Sequence, residues 1–158
     1  MKRHMISLTM SFLTVVIILL PASVFGQSIS GVTGAGAGAF PTNTSFSGVS
    51  VSGLQFGTGV FTPGDTTAAG QFEGTLLGTS ILGLPQNIEI TGDAAVGAIN
   101  VDGSRTFSGT ATVDMGDGLP PLTAVPFTVR ATANTLLLTI GVSNLPLASL
   151  TAGAIIID

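Results

Sequence analysis

Beyond residue 26 the sequence predicts one all-β domain, either a single antiparallel β-sandwich or a partly closed β-barrel of about eight to ten strands. Three observations predict it. Apolar and polar residues alternate with period two, as in Phe107-Ser108-Gly109-Thr110-Ala111-Thr112-Val113. That period puts one face of a strand in a core and the other in water. Gly and Pro punctuate the chain every several residues, at the spacing of turns. No window holds a 3.6-residue apolar stripe, because Gly and β-branched residues recur throughout.

The segment before this domain reads as a cleaved signal peptide, residues 1–26. Lys2 and Arg3, with His4, form a positive start, and Ile6 to Leu20 is an apolar run. Pro21 ends the run, and Val24 and Gly26 are small residues suited to a cut before Gln27. The apolar run is short for a span of ~20 residues, and a Pro and small residues follow it. The expectation is a secreted or periplasmic product of bacterial type with no membrane anchor after cleavage.

Residues 27–44 form a Gly/Ala-rich segment, expected to be flexible or an edge strand. Its core, Gly34-Ala35-Gly36-Ala37-Gly38-Ala39, alternates as silk-like strands do. The β domain proper is placed at residues 45–158. Phe46 to Phe61 holds one or two strands, and the apolar parity changes at Gly53, which predicts a bulge or bend there. Pro63-Gly64-Asp65 reads as a turn. Ala69 to Leu77 is a strand with Phe72 and Leu76 inward and Gln71, Glu73 and Thr75 outward. Residues 78–86 form a loop, Ile88 and Ile90 begin another strand, and Gly92-Asp93 is read as a turn. Asp102-Gly103 between extended runs predicts a type I′ hairpin. Arg105 to Met115 is then a half-buried strand. Val125 to Ala131 is the next, with Pro126 expected at an edge or strand start. Leu136 to Ile140 follows, and Ala152 to Ile157 closes the chain. Its three isoleucines predict burial on both faces.

Composition excludes much chemistry from the mature domain. Residues 27–158 contain no Cys, Trp, Tyr, His or Lys, and their only cations are Arg105 and Arg130. A Ser-His-Asp triad, a Cys or Lys nucleophile and a Cys/His zinc site are therefore impossible there. Without Cys there are no disulfides, so packing and backbone hydrogen bonds must hold the domain. Eight acids against two arginines give a formal charge of −6 beyond residue 26. Nucleic acid and anionic membranes, which need clustered Lys and Arg, are not expected partners.

Five constellations remain. Glu73 and Glu89 are the carboxylate pair from which a glycosidase site would be built, but no Trp or Tyr platform accompanies them, and solvated strand carboxylates are the favoured reading. Asp114 and Asp117, in Asp114-Met115-Gly116-Asp117-Gly118, are a weak calcium candidate, the only metal site proposed. A plain Asp/Gly turn is favoured there. Thr106, Ser108, Thr110 and Thr112 form a hydroxyl row of the kind ice-binding surfaces repeat, here on a single strand. Asn43-Thr44-Ser45 matches the glycosylation sequon. The strand count also raises an outer-membrane barrel, against which stands the lack of Trp and Tyr girdles.

No catalytic residue and no cofactor site is assigned, and the chain is expected not to be an enzyme. The expected function is that of an exported structural or protein-interaction module of the cell envelope or extracellular matrix. It would associate with a protein partner or with itself through edge strands. The alternative is a secreted module binding a small apolar ligand in a barrel or between sheets.

Overall fold

The apolar face of each alternating run needs a common core, and ten antiparallel strands of one sheet supply it. The computed structural model describes residues 30–63 and 66–158. The signal-peptide residues and the centre of the Pro63-Gly64-Asp65 turn lie outside the described residues. The strands are β1 (Ser30–Ala39), β2 (Ser45–Phe46), β3 (Val49–Thr62), β4 (Ala69–Thr79), β5 (Ile88–Ile99), β6 (Arg105–Asp114), β7 (Leu122–Ala131), β8 (Thr135–Ile140), β9 (Ser143–Asn144) and β10 (Ala148–Ile157). No helix occurs among the described residues.

Their pairing returns on itself. The ladder runs β1-β10-β8-β7-β6-β5-β4-β3, and β3 pairs again with β1. The short strands β2 and β9 hang on β3 and β8 at one end. One continuous ring of this kind matches the partly closed barrel of the two expected architectures, since a sandwich needs two separate ladders. The ring is uneven. β10 meets β8 only at Ala148–Leu136 and Ser149–Thr135, whereas it pairs β1 from Ala39–Ser149 to Val32–Ile157.

The core lies inside the ring. Phe72, Phe107 and Phe127 meet at its centre with ring centroids 6.2–6.4 Å apart. Leu54, Leu76, Ile88, Ile90, Val113, Leu136 and Leu138 are buried in the same cluster. Each such side chain contributes roughly 1.5–3 kcal/mol by leaving water. On β6 the outward positions are polar: Thr106, Ser108, Thr110, Thr112 and Asp114. Elsewhere the outer face also carries apolar residues, Phe61 on β3 and Ile156 on β10.

One local expectation holds in full: the register of β3 against β4 shifts between Val51 and Gly53, which is the expected bulge. Pro126, expected at an edge or strand start, lies instead in the middle of β7, a strand between β6 and β8, opposite Thr110 of β6. Its carbonyl accepts from Gly141 N at 2.8 Å, just past the end of β8. The missing Pro N–H therefore faces a side where the neighbouring strand has ended.

Four further expectations are corrected. The Gly/Ala run is neither flexible nor an edge: β1 is paired to β10 on one side and to β3 on the other over almost its whole length. Its glycines permit a close crossing, because a Cβ on Gly34 or Gly36 would run into the backbone of β10. Gly92-Asp93 is not a turn but the middle of β5. The Gly is there because the Phe127 ring occupies the space of its side chain. The β5–β6 connection is not type I′. Gly103 N donates to Asn100 O at 3.0 Å, so the central residues are Val101 and Asp102, and the positive φ falls on Gly103 alone. That is a longer loop closed by a left-handed Gly. The two-residue turn with positive φ at both positions occurs instead at Ser47-Gly48, between β2 and β3. Finally, β10 is not buried on both faces: Ile155 is buried, but Ile156 is 57% exposed.

Candidate functional site

Two features of the outer surface concentrate whatever the domain offers a partner. The first is the second edge of β10. From Thr151 to Ile157 it has no strand partner among the described residues. Asp158 N donates to Gly31 O at 3.1 Å. Antiparallel ladders alternate, so Gly153, Ile155 and Ile157 turn their N–H and C=O groups toward the open side. No Pro or Lys blunts this stretch. Gly153 itself has φ +88°, and a side chain there would strike Ala35 O and Gly36.

Arg105 closes the lower end of the same seam. Its Nε donates to Ser30 Oγ at 3.0 Å and its guanidinium to Asp158 O at 2.7 Å. Ser30 Oγ donates to the same Asp158 O at 2.6 Å. One side chain of β6 thus ties the start of β1 to the residue that follows β10.

The second feature is a polar trough on the outside of β1, β3 and β4. Two adjoining grooves of about 510 Å³ and 340 Å³ share Gly57 and Glu73. Gln55, Gln71, Glu73 and Thr75 form the polar wall, and Ala37 and Ala152 the opposite side. Register explains the wall: Gln55 sits across from Thr75, Gly57 from Glu73 and Gly59 from Gln71. Gln71 Nε2 donates to Asp93 Oδ1 at 3.2 Å.

The carboxylate pair raised by the sequence is only partly assembled. Glu73 is paired with Thr91, and Glu89 with Thr75, so the two lie on the same outer face one diagonal step apart. Glu73 lines the trough, while Glu89 does not. Asp114 and Asp117 cap their own loop. Asp114 Oδ1 accepts from Gly116 N at 2.9 Å and Asp117 Oδ1 from Leu119 N at 3.0 Å. Among the described residues no group of three or more His, Cys, Asp or Glu side chains comes together to hold an ion. The hydroxyl row of β6 does not extend into an array, because its β5 neighbours are Ala98, Val96, Asp93 and Thr91. Asn43 lies in an exposed turn with φ +65°, and Thr44 Oγ1 donates to Pro41 O at 2.7 Å.

Sequence reasoning missed a polar knot at the β5–β6 turn. Asp102 Oδ1 accepts from Ser104 N at 3.1 Å and from Ser104 Oγ at 2.7 Å. Arg130 pairs with Asp102 and donates through Nε to Ser104 Oγ at 3.0 Å. These bonds, with those from Ser104 first and Arg130 after, hold the Asp102 carboxyl below its ordinary range. Both arginines of residues 27–158, Arg105 and Arg130, are held in such hydrogen bonds.

Also unforeseen is an apolar end. Ile81, Leu82, Leu84, Leu119, Leu122 and Val142 are all exposed on the loops β4–β5, β6–β7 and β8–β9 or beside them. A cleft of about 170 Å³ lies there between Phe46, Met115, Val125, Ile140 and Val142. The chain matches no protein-family model, no curated protein and no solved structure.

Proposed function

We propose that this is an exported, non-enzymatic β-domain that acts as a structural or protein-interaction module outside the cytoplasm, accepting a partner's strand on β10. The observation that supports this is the open edge from Thr151 to Ile157, whose other side is paired to β1 from Ala152 to Ile157. Strand addition there would satisfy backbone groups that now face water, which is the basis of β-augmentation. Its outward side chains, Ala152 and Ala154, are small and leave the backbone accessible. The apolar end formed by Ile81, Leu82 and their neighbours adds a second contact surface, since exposed apolar patches on soluble domains mark interaction sites.

The alternative, a small apolar ligand held inside, has less support. Phe72, Phe107 and Phe127 occupy the centre of the ring. The apolar cleft at the end, about 170 Å³, is below the roughly 300–1,000 Å³ of ordinary ligand pockets.

The test uses the mature protein and Ala154→Lys/Ile156→Lys, a double change at exposed outward positions of the edge. Wild type is expected to self-associate with rising concentration in sedimentation, or to capture an extended peptide. The double variant is expected to lose that association at unchanged melting temperature. A monomeric wild type whose β10 amides shift with no strand-forming peptide sinks the reading.

A further inference from the structure

Gly57 and Gly59 are the outward positions in the middle of β3, and nothing in the fold requires them. Neither has positive φ, and a Cβ at either would meet no atom within 4 Å. Other glycines have a steric reason: Gly34, Gly36, Gly70, Gly109 and Gly153 each abut backbone that a side chain would strike. An exposed strand position favours Thr, the choice made at Thr110 and Thr112 on β6, and Gly in a strand interior costs stability. The two glycines give up that stability and open the floor of the trough.

We propose that this trough binds an extended, Lys- or Arg-bearing polypeptide segment of another protein. The proposal rests on the reading of the domain as an interaction module but uses a surface distinct from the β10 edge. A glycine floor in a strand permits close approach of a second backbone. Gln55, two residues before Gly57 on β3, and Gln71, across from Gly59 on β4, carry amide groups for a peptide, Gln71 with one N–H already given to Asp93. The charge is one-sided. Glu73 stands in the wall, with Asp93 and Glu89 on the adjoining strand. Arg105 and Arg130 are held at the far ends of β6 and β7 by Ser30, Asp158, Asp102 and Ser104. A cationic segment therefore finds the Glu73 carboxylate, with no cation beside it, next to a side-chain-free floor, whereas an anionic one is repelled. A sugar chain fits less well, because the aromatic residue lining the trough, Phe56, is buried in the core and offers no exposed stacking face.

The probe is a synthetic peptide of alternating Lys and Thr, with the Glu-Thr peptide and a neutral glucan oligosaccharide as comparisons. Binding is followed by amide shifts in the mature protein at low salt. The Lys-Thr peptide is expected to move Gly57, Gly59 and the Gln55 and Gln71 side-chain amides, with residues 151–157 unmoved. Gly57→Thr/Gly59→Thr is expected to melt at or above the wild-type temperature and to bind at least tenfold more weakly. Glu73→Gln is expected to weaken binding about tenfold. Equal binding by the folded Thr double variant, shifts spread over all acidic residues, or equal binding of the Glu-Thr peptide each overturn the proposal. Shifts at these amides with the glucan alone overturn the peptide as occupant. Failure here with an intact β10 association leaves the edge-strand reading standing, and the reverse result isolates the trough.

Discussion

The ring of Phe127 fills the place of a side chain on Gly92: a Cβ there would meet Cε1 at 2.7 Å and Cζ at 2.8 Å. The two residues belong to β7 and β5, on either side of β6. Gly92→Ala is therefore expected to destabilise the domain by about 1–3 kcal/mol through overpacking. Adding Phe127→Leu should recover part of that loss, giving a non-additive double-mutant cycle in urea unfolding. Strict additivity would mean that the ring does not set the cost.

The three central rings carry a large share of the core. Phe72→Ala is expected to cost about 3–5 kcal/mol. Phe61, on the outside of β3 and half exposed, should tolerate the same change within about 0.5 kcal/mol. Thermal unfolding of the two variants checks the contrast, and similar losses would contradict the placement of the core.

Arg105→Met removes the clasp on Ser30 and Asp158 without shortening the side chain. Because β8 holds β10 at only two pairs, the seam is the expected site of local opening. Amides of Ala154, Ile156 and Asp158, which face β1, should exchange with solvent faster in the variant, while those of β5 keep their wild-type protection. Uniform acceleration across all strands would count against a local clasp.

Asp102 supplies a pH dependence with a definite sign. Its folded pKa lies below the ordinary value, first because of Ser104 and then because of Arg130. A depressed carboxylate contributes stability that is present above the unfolded value, about 3.9, and is lost as the pH falls through the folded one. Stability should thus decline in acid below about pH 4, and Asp102→Asn should flatten that part of the curve. A curve unchanged by the substitution would remove Asp102 from the account.

Calcium is expected to leave the melting temperature where EDTA leaves it. Asp114 and Asp117 each spend one oxygen on a loop amide, Gly116 or Leu119. A rise with calcium would show that the loop rearranges into a ligand set.

Much of this domain was legible in the sequence, and the rest for physical reasons was not. Period-two runs such as Phe107 to Val113 announce a half-buried strand directly, because side chains on a strand alternate. The bulge at Gly53 shows as a change of apolar parity. Gly92-Asp93 misled because a glycine that makes room for a distant ring looks the same as one that makes a turn. Asp102-Gly103 misled because loop length, set here by the Asn100 carbonyl and Gly103 amide, selects the turn type. Of the candidate site, Glu73 was visible as an outward carboxylate. The trough was not, because it needs Gly57 and Gly59 beside Glu73 and Gln71, and only register sets them there.

The sequence by itself determined that residues 45–158 form β-structure with a Phe-rich core and little reactive chemistry, since period and composition are local properties. Tertiary structure alone decided that the Gly/Ala run is an interior strand and that the last strand keeps an open edge. Which strand lies beside which depends on contacts between residues far apart in the chain. Ala35 against Ala154 is one such contact, and neither residue carries any mark of it.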